Sequence, residues 1–155
     1  MTSCADQTGG QPLDPAAALV RISFLVQSIY TRTAARHDLT PQQAQLLCIV
    51  KDEPRAMADL VTMLRIDKSS VSGLVDRIEQ RGLLRRQQSN TDRRAVTVSA
   101  TARGRKRAQA FYDDTQSQLD DVVAHLTEVD QGALAGALSQ ILAAEAVPAV
   151  FGETG

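Results

Sequence analysis

Asp67-Lys68-Ser69-Ser70-Val71-Ser72-Gly73-Leu74-Val75-Asp76-Arg77-Ile78-Glu79-Gln80-Arg81-Gly82 joins a helix start, a helix body and a helix stop. Val71, Leu74, Val75 and Ile78 fall at i, i+3, i+4 and i+7, the stripe of a helix with one buried face. Asp67 offers a side-chain oxygen to cap the first turn. Gly82 stands where a helix ends in a left-handed residue. The opposite face is short and polar: Lys68, Ser69, Ser70, Ser72 and Gly73, then Asp76 and Arg77 one turn on. Small residues let such a helix sink into a groove. Serine hydroxyls can bond phosphates or bases, and Lys68 and Arg77 suit phosphates or guanine edges. Taken alone, the same face is equally the ordinary start of an amphipathic surface helix.

The flanking residues decide between the two. Downstream, Leu83 to Gln88 and Ala95 to Ala100 read as two strands, with Val96 and Val98 alternating with Thr97 and Ser99. The polar, charged Ser89-Asn90-Thr91-Asp92-Arg93-Arg94 between them makes a hairpin with a basic tip. Arg93 and Arg94 there serve no core. An arginine entering a narrow minor groove gains from its negative potential. Upstream, Met57 to Leu64 reads as a short helix with Leu60, Val61 and Leu64 on one side. Short helix, tight turn, helix and basic hairpin, in that order, make a helix-turn-helix with a wing.

Further out, the pattern is helical. Asp14 and Pro15 open a helix to about Ala35, with Leu19, Ile22, Val26 and Ile29 at helical spacing. Thr40-Pro41-Gln42-Gln43 has the form of a capping box, and its helix, carrying Leu46, Leu47 and Val50, is expected to stop at Asp52-Glu53-Pro54. A long helix begins at Thr101 and runs through Phe111, Leu119, Val122 and Leu126. Thr127 to Asp130 caps a last helix with Leu134, Leu138, Ile141 and Leu142, which Pro148 ends. Ala133, Gly136 and Ala137 are small enough for close helix approach.

Charge supports a polyanionic partner. The 155-residue chain holds 17 Lys and Arg against 18 Asp and Glu, yet 12 of the basic residues and only 4 of the acidic ones lie between Arg65 and Arg107. A basic segment in an otherwise acidic protein is the footprint of a module that meets nucleic acid. The blander reading is a solvated charged face.

From Leu39 to Arg105 the sequence resembles the MarR-type multiple-antibiotic-resistance regulators. The resemblance rests on Leu39-Thr40-Pro41-Gln42-Gln43, on Val71 through Arg86, on the Asp92-Arg93-Arg94 signature, and on Thr97-Val98-Ser99-Ala100-Thr101-Ala102-Arg103-Gly104. Thr91 and Ala100 depart from the usual Pro and Leu. The resemblance implies a mainly α fold: a winged helix-turn-helix with a two-stranded β-hairpin wing, plus N- and C-terminal helices forming a dimerisation region. It implies a recognition helix from Asp67 to Arg81, an Asp92 that orients an arginine, and an Arg94 that reaches the minor groove. It also implies a pseudo-palindromic site and, often, repression relieved by a small aromatic or phenolic ligand. The expected division is a disordered tail (1–13), an N-terminal dimerisation helix (14–38), the DNA-binding region (39–100), C-terminal dimerisation helices (101–148) and a tail (149–155), in one compact domain. The expected partners are double-stranded DNA, a second copy and a possible small-molecule effector. Family pockets of that kind lie between the dimer helices and the winged domain, which makes Phe24, Tyr30, His37, Phe111 and Tyr112 candidate walls. Ordinary core or dimer packing explains them better.

Composition narrows the rest. No apolar run approaches a membrane span, and the N-terminus lacks a signal peptide, so a cytoplasmic protein with no membrane partner is expected. Cys4 and Cys48 make no disulfide framework, and neither metal-ligand spacing nor a cofactor motif is present. No phosphate loop or nucleophile with its base suggests an enzyme. Two rivals remain: a winged-helix protein-interaction module without specific DNA binding, and a cysteine-based redox regulator. The second is weakened by the apolar neighbours of Cys48, which disfavour its thiolate.

Overall fold

A computed structural model describes residues 13–88 and 95–147. Nine elements follow in order among them: α1 (Pro15–Arg36), α2 (Pro41–Ile49), β1 (Arg55–Ala56), α3 (Met57–Leu64), α4 (Lys68–Gln80), β2 (Leu84–Gln88), β3 (Val96–Ala100), α5 (Ala102–Val123) and α6 (Glu128–Ala144). The mainly helical winged fold expected from the sequence is the one observed.

Local chemistry sets the starts. Asp14, Thr40, Asp67, Thr101 and Thr127 each accept a backbone N–H of the first turn of the helix they precede. At Thr40 the box is complete: Thr40 Oγ1 accepts Gln43 N–H at 3.2 Å, and Gln43 Oε1 accepts Thr40 N–H at 3.1 Å. Gly82, at φ +70°, lets the chain leave α4 and enter β2.

One expectation needs correction. The second helix ends at Ile49, before Asp52-Glu53-Pro54, so the proline is not its stop. The chain turns early because its next partner is the sheet: Val50 C=O accepts Ala100 N–H at 3.3 Å. The two-stranded hairpin of β2 and β3 is joined by a short third strand. Arg55 and Ala56 pair antiparallel with Val98 and Thr97, giving the order β1-β3-β2. A two-residue strand has no alternation for a sequence to display. Its pairing is supplied by β3, whose other edge holds β2 in register from Leu84↔Ala100 to Gln88↔Val96.

The core lies beneath α4 and the sheet. Leu46, Leu47, Leu60, Val71, Leu74, Val75, Ile78, Leu83, Leu84, Val98 and Phe111 are all buried in one cluster. The two terminal helices differ from it. α6 has no buried residue, although Leu134, Leu138, Ile141 and Leu142 sit on it. α1 leaves Leu19, Val20, Ile22, Phe24, Leu25 and Val26 exposed along its first four turns. Apolar side chains in this number on two helices form a surface that a monomer leaves uncovered.

Candidate nucleic-acid interface

α4 turns its apolar stripe inward: Val71, Leu74, Val75 and Ile78 are buried. That fixes its outer face. Lys68, Ser69, Ser70 and Arg77 are exposed, and Ser72 and Gly73 are half-buried beside them. The six residues singled out in the sequence therefore share one helix. Asp92, Arg93 and Arg94 lie outside the described residues.

Asp67 organises the first turn. Its carboxylate accepts Ser70 N–H at 3.0 Å, Ser70 Oγ–H at 2.6 Å and Ser69 Oγ–H at 2.9 Å. The Ser70 hydroxyl, then its amide and the Ser69 hydroxyl, hold the Asp67 carboxyl well below the usual carboxylate range. With their protons engaged, Ser69 and Ser70 offer lone pairs to solvent. One turn on, a Cβ at Gly73 would meet the end of the Arg77 side chain at 3.4 Å, an ordinary contact, so packing alone does not require the glycine.

The helix is braced from both sides, by residues that sequence reasoning missed. Near its end, Arg81 donates to the Asp38 carbonyl at 2.7 Å, to the Asp38 carboxylate at 2.6 Å and to Gln43 Oε1 at 3.1 Å. Asp38 adopts φ +55° in the turn between α1 and α2. Arg107 of α5 donates to the neighbouring His37 carbonyl at 3.2 Å. Along its flank, Arg86 of β2 donates to Asp76 Oδ1 at 2.6 Å, to the Glu79 carboxylate, and at 3.4 Å to the Ser72 carbonyl. Burial opposes the Arg86 charge, but hydrogen bonds to Asp76 and Glu79 outweigh it and raise its pKa. Asp76 and Glu79 fall at helical spacing, but nothing in the sequence says that the arginine of the next strand turns towards them rather than to solvent.

The five aromatic candidates do not form one site. Phe24 is 66% exposed on the outer face of α1. Phe111 is fully buried, with the Tyr30 ring edge-on at 4.9 Å and the His37 ring at 6.2 Å. His37 Nε2 lies 3.1 Å from Asp114 Oδ2. Tyr112 faces another way, under the Lys51 ammonium at 5.7 Å. A separate groove of about 370 Å³ between α1 and α2 is lined by Val26, Gln27, Tyr30, Thr31, Pro41, Gln42 and Gln45; Tyr30 is the one candidate on its wall.

Cys48 is buried in α2, and burial pushes its thiol up to about 12, with Lys51 and Asp52 acting in opposite senses. At pH 8 about one molecule in ten thousand then carries the thiolate, the reactive form. In a Cys4→Ser variant, Cys48 is expected to resist a thiol reagent at pH 8 for hours and to react at once in denaturant. Labelling within minutes in the native protein would show an accessible thiol. The raised pKa also ties stability to pH: the contribution is complete below the ordinary thiol pKa of 9.0 and is lost as pH rises towards 12. Among the described residues no cluster of His, Cys, Asp and Glu could hold a metal, and no helix is long and apolar enough to cross a membrane.

Comparison with known proteins agrees with this geometry. The pattern of the MarR family matches residues 37–95. The homoprotocatechuate degradative operon repressor of Escherichia coli is 30% identical over 105 residues, 67% of this chain and 68% of the relative. Two solved structures share the fold. MepR of Staphylococcus aureus, in complex with DNA, superposes with a TM-score of 0.71 at 19% identity, over 86% of this chain and 99% of the other. NadR, in complex with 4-hydroxyphenylacetate, gives 0.69 at 19% identity, over 88% and 97%.

Proposed function

The chain belongs to the MarR family, and from that premise we propose that it is a homodimeric, sequence-specific transcriptional repressor. The observation that carries this is the outer face of α4. It is small and polar, presents Lys68 and Arg77, stands over a packed core, and is followed by two paired strands between which the sequence holds Arg93 and Arg94. In this reading residues 39–100 read DNA. Lys68, Ser69, Ser70, Ser72, Gly73 and Arg77 meet the major groove, and Arg93 and Arg94, with Asp92 orienting one of them, meet backbone and minor groove. Such a protein acts in the cytoplasm.

Arg94→Ala is expected to weaken binding on nearly every duplex by about 1–3 kcal/mol and to lower the salt slope by about 1. Replacing Ser70 or Arg77 should instead reorder the preferred sequences. Fluorescence anisotropy over a panel of duplexes at several salt concentrations checks both. Unchanged affinity for Arg94→Ala removes the tip from the mechanism. Salt-insensitive binding without sequence preference would favour the protein-interaction module.

The uncovered apolar faces of α1 and α6 support the second copy. Leu138 and Ile141 lie one turn apart on α6 and are half-exposed. Leu138→Glu with Ile141→Glu is expected to halve the mass in sedimentation and to abolish binding to a two-half-site operator. An unchanged mass would move the interface elsewhere.

The ligand is a phenolic carboxylate in this reading. Support comes from the groove at Tyr30 between α1 and α2 and from the NadR structure, which holds 4-hydroxyphenylacetate. The burial of Cys48, which disfavours its thiolate, gives no support to redox sensing, and Cys48→Ser should leave any release from DNA intact.

A further inference from the structure

Ser72, Asp76 and Glu79 follow one another along the flank of α4, and the side chain of one residue, Arg86, spans all three. The Arg86 backbone N–H adds a fourth bond, to Glu79 Oε1 at 2.9 Å. β2 is an edge strand, so this N–H faces away from β3 and would otherwise have no strand partner. Asp76 and Glu79 are exposed or half-exposed, while the Arg86 side chain is about one quarter exposed. The guanidinium is therefore turned towards α4, where it finds three acceptors, and not offered chiefly to solvent. A planar fork holding two carboxylates is directional in a way an ammonium is not. It fixes how far β2 stands from α4 and at what angle. β2 leads directly into the hairpin tip, and α4 carries the reading face.

We infer that Arg86 is a positioning residue for DNA recognition: it locks the strand that leads to the hairpin tip onto the recognition helix, so that the two engage one duplex together. A second effect accompanies the first. Asp76 and Glu79 are negative charges on a helix that approaches a polyanion, and Arg86 screens both. The inference rests on the DNA-binding reading above. It assigns Arg86 no contact with DNA.

The test keeps the charge and removes the fork. Arg86→Lys preserves one positive charge, so a fall in affinity cannot be put down to lost net charge. Paired with Arg94→Ala it forms a double-mutant cycle on the selected operator duplex. The expected result is about tenfold weaker binding for Arg86→Lys in the parent, an unchanged salt slope, and little or no further loss in the Arg94→Ala background. That is the signature of a residue acting through the tip. Glu79→Gln is the second variant. It keeps the acceptor for the Arg86 N–H and weakens the fork, and it should show the same coupling if Arg86→Lys folds poorly. An equal loss in both backgrounds, or none in the parent, overturns the inference. If Arg94→Ala weakens binding and Arg86→Lys simply adds to it, the tip reading stands and the strut fails. If Arg94→Ala has no effect, both fail.

Discussion

Phe111→Ala lowers folding stability by about 3–5 kcal/mol, the cost of emptying a large buried aromatic site. Phe111 is the largest of the fully buried side chains. It lies on α5 and meets Tyr30 and His37 of α1 and the turn after it. Truncation removes the apolar transfer energy, the edge-to-ring contact with Tyr30, and the packing that joins α1 to α5. The neighbours cannot close the gap cheaply, because Ala34, Leu46 and Leu47 belong to the same cluster and are themselves fully buried. Denaturant unfolding measures the loss, with protein concentration held constant because the stability of the proposed dimer would depend on it. A loss below about 1 kcal/mol would mean that the site collapses or was never well filled.

Gly104→Ala is expected to be the second costly change, against helix propensity, which favours Ala over Gly by about 1 kcal/mol. Gly104 opens α5 against the residue that enters β2. A Cβ there would lie 1.9 Å from the Leu83 carbonyl oxygen and 2.9 Å from its carbon. Both are backbone atoms, so no rotamer relieves the contact. The joint cannot simply widen. Thr101 N–H donates to that same Leu83 carbonyl at 3.0 Å, and Thr101 Oγ–H donates to the Gly82 carbonyl at 2.8 Å. Overpacking of this kind costs about 1–3 kcal/mol and sometimes more, and here it exceeds the propensity gain. DNA affinity should fall as well, because Leu83 leads into the hairpin. A stabilised Gly104→Ala variant would show that α5 and β2 part without cost.

These two residues differ in how far the sequence revealed them. Phe111 stood out as an apolar aromatic on a long helix, but its chemistry fits a core and a ligand wall alike; only the contacts with Tyr30 and His37 show it filled by its neighbours. Gly104 belonged to a recognised motif without a visible reason, since the reason is an approach between residues 21 apart in the chain. The α4 stripe was legible because Val71, Leu74, Val75 and Ile78 obey one period, and the caps at Thr40 and Asp67 because each acts within three residues. β1 was not, because two residues carry no period. The grip of Arg86 was not legible either, since a charged residue in a strand does not announce whether it faces solvent or a helix. The tip residues Asp92, Arg93 and Arg94 rest on the sequence signature. The aromatic group split because Phe24, Tyr112 and Phe111 occupy different faces, which composition cannot order.

The proposed repressor must read DNA as a dimer. Selection of bound duplexes from a random library at two salt concentrations tests that directly. The expected result is an enriched inverted repeat, with half-sites about one helical turn apart and affinity that falls as salt rises. Recovery of no preferred sequence, or of binding indifferent to salt, would contradict it.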